Sequence, residues 1–442
     1  MYESNGEAEG TAVAGRPKET AVLVAEGDVG RRRSLFAHRD FRLFWVGEST
    51  SVFASYATGL TLQLVAVTLL HASPLILGVL SAAAWLPWLL IGLPVGAWVD
   101  RLPKRPIMIV CNLLSAVLLA SIPVAWHLNM LTIGNLLVVA VLVGSATVFF
   151  TTAYHAYLPL LIGERHVLEG NAKLQGSESA MEMLGPSAGG AIAQAFGAAI
   201  GVLLNVVGYL VSTVFLLRIR TKVAEPARQG PQAGLIAEIG EGLRFVVKDK
   251  YLRPIVLYGA SANLAIWGYQ SIYVAFLIRT VGVNSATVGV LIASGGVGGI
   301  LGALLARPLA RRFGTARGLL INKVVTIPFG LLMAMAGSGP AVALFFFGLL
   351  IVDGSIGAGN ITLNSFRQTY CPPHLLSRTI ATTTFIRYST IPVGAILGGI
   401  LANYLGLRTA MWIETCLLVC CTVVLLASPL RTLRDFPSRP AA

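Results

Sequence analysis

Five carboxylates stand inside long apolar stretches of this sequence: Glu48, Glu178, Glu182, Asp353 and Glu414. An ionised side chain at the centre of a membrane helix costs about 2.5–3.5 kcal/mol on insertion scales, so such residues mark proton or ion pathways by default. A carboxyl group in an apolar setting can load and release a proton in the physiological range. Glu48 lies about two turns into the first apolar run and Asp353 midway along the tenth, which makes them the leading proton-coupling candidates. Glu178 and Glu182 share one helix face at their spacing of four. They are further coupling candidates, or ion-pair partners of Arg387 or of a neighbouring loop. Glu414, nearer the outer end of the last run, reads as a snorkelling or structural acid.

A second group suits ligand binding rather than proton transfer. Trp267, Tyr269, Gln270 and Tyr273 form a polar-aromatic cluster of the kind that holds an amphipathic organic molecule. Gln63 and Arg387 join them as substrate-cavity candidates. His155, between Tyr154 and Tyr157, reads as part of an interfacial aromatic belt. No Gly-Lys-Ser/Thr phosphate loop and no His-Glu-x-x-His pattern occurs, which argues against an ATP-driven pump and a zinc hydrolase. No metal site or cofactor is expected.

Membrane helices must position these residues. Of 442 residues, 55% are hydrophobic and 12% charged, against about 25% charged in soluble domains. Twenty acids and thirty-three bases cannot coat soluble domains of this length, and the mean hydropathy is +0.75. A soluble enzyme and a disordered or fibrous chain are excluded. The net charge of +13 fits Lys and Arg gathered in cytoplasmic loops better than nucleic-acid binding. Cys111, Cys371, Cys416, Cys420 and Cys421 show no zinc or disulfide spacing and read as reduced packing residues.

Residues 1–34 read as a disordered cytoplasmic tail. Arg31, Arg32, Arg33, Arg39 and Arg42 precede the first apolar run, which predicts an uncleaved span rather than a signal peptide. A bilayer core about 30 Å thick needs about 20 apolar helical residues. Spans are predicted near 43–70, 75–99, 106–126, 132–158, 174–196, 199–218, 254–278, 284–306, 318–337, 340–362, 379–404 and 408–429. Twelve spans in the cell membrane, starting from a cytoplasmic N-terminus, place both termini in the cytoplasm. Only Arg279 and Arg408 then fall in outer turns, as the positive-inside rule requires.

The organisation expected is a bundle over 35–219, a cytoplasmic linker over 220–253, a bundle over 254–430 and a tail over 431–442. The linker's second part should form an amphipathic helix on the inner leaflet. Gly189, Gly190 and Gly197 recur 209 positions later as Gly398, Gly399 and Gly406. The predicted fold is an all-α membrane protein of 12 transmembrane helices. Its two six-helix bundles are related by pseudo-twofold symmetry about the membrane normal.

Gly96, Asp100, Arg101, Lys104 and Arg105 form a run that resembles the Gly-x-x-x-Asp-Arg-x-x-Arg-Arg loop signature of the major facilitator superfamily. Lys104 stands for the first of the paired arginines and Pro103 for a usual glycine. The resemblance implies that Gly96 permits close helix packing. It also implies that Asp100 and the basic residues hold the outward-open state closed on the inside. Gly176, followed by Gly185-Pro186-Ser187-Ala188-Gly189-Gly190, is similar to the antiporter signature of drug-exporting members. Pro186 removes a backbone donor and the glycines admit a neighbouring helix, giving a bendable span. Gly295, Gly298, Gly299 and Gly302 read as helix packing alone.

Asp40 to Trp45, Leu168 to Ala172, and Arg367-Gln368 with Pro372 and Leu375 to Arg378 resemble the macrolide-efflux and siderophore-exporter branch. The resemblance covers about residues 35–430. The second half departs from it, because Arg311 falls where Asp100 would. It implies that spans one, four, seven and ten line a central cavity. It further implies export of small amphipathic, drug- or antibiotic-like molecules by proton antiport with alternating access. The partners expected are a small-molecule substrate, protons and the lipid bilayer, with no nucleic acid; the proton gradient replaces any cofactor, and a monomer is expected. A proton-coupled nutrient importer and a non-transporting membrane sensor are the alternatives.

Overall fold

The structure, a computed structural model, describes residues 35–163, 166–221 and 235–437. Its helices are α1 (Arg39–Thr68), α2 (Pro74–Leu90), α3 (Gly92–Arg101), α4 (Lys104–His127), α5 (Ile133–Ile162), α6 (Val167–Phe196), α7 (Ala198–Arg218) and α8 (Leu235–Lys248). They continue as α9 (Leu252–Ala275), α10 (Ser285–Phe313), α11 (Thr315–Thr326), α12 (Leu331–Met335), α13 (Val342–Tyr370), α14 (Pro373–Leu405) and α15 (Leu407–Leu426). No strand occurs among the described residues. The tail expected over 1–34 and the first part of the linker lie outside them.

Among the described residues, ten helical segments are long and apolar enough to cross a bilayer. The two other expected spans differ for identifiable reasons. The second is broken at Ile91 into α2 and α3, in a stretch holding Pro87, Gly92 and Pro94. Proline removes the backbone donor that an unbroken helix needs. The fifth is α6, thirty residues long, whose Glu169, Lys173, Glu178 and Glu182 lower its hydropathy. The ninth is interrupted by a 3-10 turn, Ile327–Gly330, at Pro328. The seventh continues through a π-helical turn, Phe276–Val281, to Gly282 in the left-handed region.

Helices α1 to α7 pack on one another, as do α9 to α15, and the halves meet along α6–α10 and α2–α14. Glycine sets the approach at both crossings. A Cβ on Gly78 would run into the carbonyl oxygen of Ala395 and lie 3.0 Å from the Cα of Gly399. A Cβ on Gly190 would lie 2.5 Å from the carbonyl oxygen of Ser285 and 3.0 Å from the Cα of Gly289. The internal repeat therefore has a physical meaning. Gly399 and Gly190 each meet the other half, while Gly398 and Gly189 each pack within their own half, on α9 and α1. Gly406 and Gly197 both end a helix at positive φ, +87° and +93°. The helices across the crossings match too, since Ser73 and Asn284 cap α2 and α10 by accepting from the amide three residues on.

One end of the molecule carries most of the basic residues, and the other carries the turns holding Arg279 and Arg408. Each of these two is pinned on carbonyl oxygens near a helix C-terminus: Arg279 on Val67 (3.3 Å) and Arg408 on Ala336 (2.9 Å). Both glycine crossings lie toward this low-charge end. Toward the basic end, α3 packs on α5, α2 and α4 of its own half. Helix α8 docks against α14 and α9, with Val246 buried and Leu243 and Val247 exposed.

Acids at the basic end act locally. Asp40 accepts from the amides of Arg220 (3.2 Å) and Thr221 (2.9 Å). Asp249 accepts from the amides of Tyr251 and Leu252 and from the Tyr370 hydroxyl. Asp435 caps α11 by accepting from the Thr315 amide at 2.8 Å. The C-terminal segment thus brings a carboxylate to the loop that lacks one of its own.

Candidate functional site between the two halves

Glu48 is 8% exposed, and its Oε2 has no hydrogen-bond partner among the described residues. It borders a cavity of about 70 Å³ that also touches Ser51, Asn112, Thr147, Thr151 and Tyr209. Ser51 Oγ donates to Asn112 Oδ1 at 3.1 Å, and Asn112 Nδ2 donates to Ser212 Oγ at 2.8 Å. These bonds tie α1 to α4 and α7.

Glu48 interacts electrostatically with Glu178, Glu178 with Glu182, and Glu182 with Asp353. The four acids predicted for coupling therefore form one chain, from α1 through α6 to α13, across the boundary between the halves. Glu178 accepts from Gln175 Nε2 at 2.9 Å. Asp353 Oδ2 packs directly over Gly295, where a Cβ could not fit. Gly298 and Gly302 admit the backbone of α13 in the same way, so this glycine row seats the acid as well as the helix. Among the described residues the one ion pair is Lys173–Glu169, at 3.4 Å. The pairing of Glu178 or Glu182 with Arg387 is not made. Arg387 is exposed on α14, interacts electrostatically with Arg367, and lends its carbonyl oxygen to Asn263 at 2.8 Å.

The predicted aromatic cluster divides. Trp267 meets Trp85 edge-on at 4.8 Å, and Tyr388 lies 4.8 Å from Trp88 and 5.9 Å from Trp85. These four rings bridge the halves at mid-depth, with α2 on one side and α9 and α14 on the other. Tyr269 is fully buried and Tyr273 partly so; both interact electrostatically with Asp353. Gln270 is half-buried beside them. Gln63 donates to Ser81 Oγ at 3.2 Å, joining α1 to α2. Trp85, Trp88 and Tyr388 were not singled out by sequence. The i, i+3 tryptophan pair was the available signal, but it names a face and not what that face meets. Tyr56, in electrostatic range of Glu178 and Glu182, was likewise missed.

Several expectations need correction. Glu414 does not snorkel: it is 1% exposed, with its carboxyl group seated over Gly268 of α9 and Oε2 unpartnered among the described residues. Gly96 makes no close helix packing here, because a Cβ would meet nothing within 4 Å. Gly176 also faces open space, whereas Gly185 packs on Phe53 and Ala57 of α1, with Pro186 buried beside it. Arg105 is a staple within the first half, donating to the carbonyl oxygens of Leu216 (2.8 Å) and Leu217 (2.7 Å). Lys104 is buried and Arg101 exposed, while the side chain of Asp100 lies outside the description. His155 is exposed against Tyr154. Lys323, which drew no notice in sequence, is 4% exposed and donates to the carbonyl oxygen of Ser355 at 2.9 Å.

The profile of the family described as transmembrane secretion effector (MFS_3) matches residues 33–441. The multidrug efflux pump Tap of Mycolicibacterium fortuitum is 27% identical over 378 residues, covering 84% of this chain and 91% of its own length. Macrolide efflux protein A of Streptococcus pyogenes is 22% identical over 389 residues, covering 87% and 94%. Among solved structures, the nucleoside transporter NupG superposes with a TM-score of 0.70 at 15% identity, covering 88% of this chain and 99% of its own. A bacterial homologue of the human lysosomal transporter Spinster, in an inward-facing and occupied conformation, gives 0.70 at 16% identity, covering 89% and 97%. These two show the fold alone. With its multi-pass helical fold and a profile match from end to end of the described residues, the chain belongs to the transmembrane secretion effector family of MFS-type transporters.

Proposed function

We propose that the chain exports small amphipathic organic molecules across the cell membrane by proton antiport with alternating access. The observation that carries this reading is the chain of four acids beside an aromatic cluster that both halves build. The names of the efflux relatives support the direction. Substrate enters from the basic end and meets the rings of Trp85, Trp88, Trp267 and Tyr388. Glu48 and Asp353 are the proton sites, with Glu178 and Glu182 between them. Loading a proton removes a buried charge, and a few kcal/mol is enough to exchange the inward and outward populations.

Liposomes holding the purified chain and an imposed pH gradient test this. An amphipathic cationic dye should move against the proton flow. Glu48→Gln combined with Asp353→Asn should leave dye movement independent of the gradient. Transport by the native chain that ignores the gradient, or coupling that survives both substitutions, overturns the proposal.

A further inference from the structure

The cavity beside Glu48 is too small for the substrate. A drug-sized ligand needs about 300–1,000 Å³, while this space is about 70 Å³. One water needs about 10–15 Å³ measured in the same way, so the cavity admits a small ion with part of its water shell. Its lining is rich in oxygen: Glu48, Ser51, Ser55, Asn112, Thr147 and Thr151 among others. Three of the donors in the lining are committed elsewhere. Ser51 Oγ donates to Asn112, Asn112 Nδ2 to Ser212, and Thr147 Oγ1 to the carbonyl oxygen of Val143 at 2.9 Å. The same space is bordered by an unpartnered Oε2 on an acid more than nine-tenths buried. No basic nitrogen lies within 4 Å of that acid among the described residues.

We infer that this cavity binds a small, hard monovalent cation of the sodium class, in competition with the proton on Glu48. Hard cations take oxygen ligands, and a site with several neutral oxygens and one carboxylate matches a single positive charge. A divalent ion would call for a second acid in the lining. Glu178 on α6 adds negative potential, with Tyr154 of α5, Cys111 of α4 and Tyr209 of α7 as the other titratable groups facing Glu48. The inference rests on reading Glu48 as the coupling acid and adds a second ion that it can hold.

Binding to the full chain in detergent tests it without substrate or gradient, so its outcome is separate from that of the transport assay. Radioactive sodium binding and the unfolding midpoint are followed in NaCl against choline chloride at equal ionic strength, at pH 6 and pH 8. Sodium should bind saturably and raise the midpoint, with tighter half-saturation at pH 8, where the carboxylate is more often ionised. Glu48→Gln should abolish saturable binding, and Thr151→Val should weaken it about tenfold, a single lost ligand of about 1.4 kcal/mol. If Glu48→Gln does not fold, the native chain and Thr151→Val decide. Identical behaviour in sodium and choline, half-saturation indifferent to pH, or full binding by Glu48→Gln overturns the inference.

Discussion

At the scale of single residues, burial separates acids that look alike in sequence. Glu48 and Glu414 both interrupt apolar runs, yet one borders a polar cavity and the other is sealed over a glycine. Sequence position reports depth along a helix and says little about which neighbour a side chain faces. The partner of Glu414 is Gly268, far away in the chain, so its burial could not be read in advance. Lys323 was passed over for the same reason, because its proximity to a positively charged loop hid its contact with Ser355. The Glu414 seat gives a sharp test. A Cβ at position 268 would overlap the carboxyl group at the far end of the Glu414 side chain, so Gly268→Ala should displace that group and destabilise the chain by about 1 kcal/mol, the low end of overpacking costs. Glu414→Ala introduced into that variant should recover much of the loss, since the two residues are in contact and their effects do not add. Thermal unfolding of the four proteins in one detergent measures it; independent, additive losses would mean that the seat is not formed.

At the scale of helices, the glycine repeat was legible in sequence but its partners were not. Repetition at 209 residues identified equivalent positions, and the structure shows that the repeat places two symmetric crossings between the halves. Ten of the twelve expected spans fall on helices long and apolar enough to cross a bilayer, and several helices run beyond the expected bounds. Helix α6 begins at Val167 rather than near 174, and α13 runs on to Tyr370 rather than 362. Hydropathy registers the hydrocarbon layer, whereas helical hydrogen bonding continues through the polar interface beyond it. The crossings hold only when the low-charge end is shut, which yields a prediction. Gly289→Ala puts a methyl group into the carbonyl oxygen of Pro186. A penalty of about 1–3 kcal/mol on that state alone would shift the balance toward opening by roughly 5- to 150-fold. Cysteine at Ala395, buried at the other crossing, should then label faster with a maleimide in a background lacking the five native cysteines. An unchanged labelling rate would mean that the two crossings open independently or not at all.

At the scale of the whole molecule, charge and glycine define opposite ends of one device. Basic residues and helix α3 lie at one end; the small-on-small crossings lie at the other, and the acid chain and ring cluster lie between them. Composition and hydropathy made the membrane and the two halves legible, because those are sums over many residues. The conformation was not legible, because either closed end uses the same chain and differs only in which contacts are made. A rocking pair of halves must break the low-charge contacts in every cycle. Gln194 on α6 accepts from the amide of Ser285 on α10 at 3.1 Å, within this end. Cysteines placed at both positions, in the cysteine-free background, should be joined by a short bifunctional maleimide and should then hold that end shut. Dye transport in liposomes should fall to background after joining, while ligand binding from the basic end persists, as measured by tryptophan fluorescence quenching at Trp85, Trp88 and Trp267. A linker that can be cleaved by reducing agent should restore transport when cut. Transport that continues at full rate with the halves joined would show that the low-charge end need not open, and a rocking cycle would then be the wrong description of this protein.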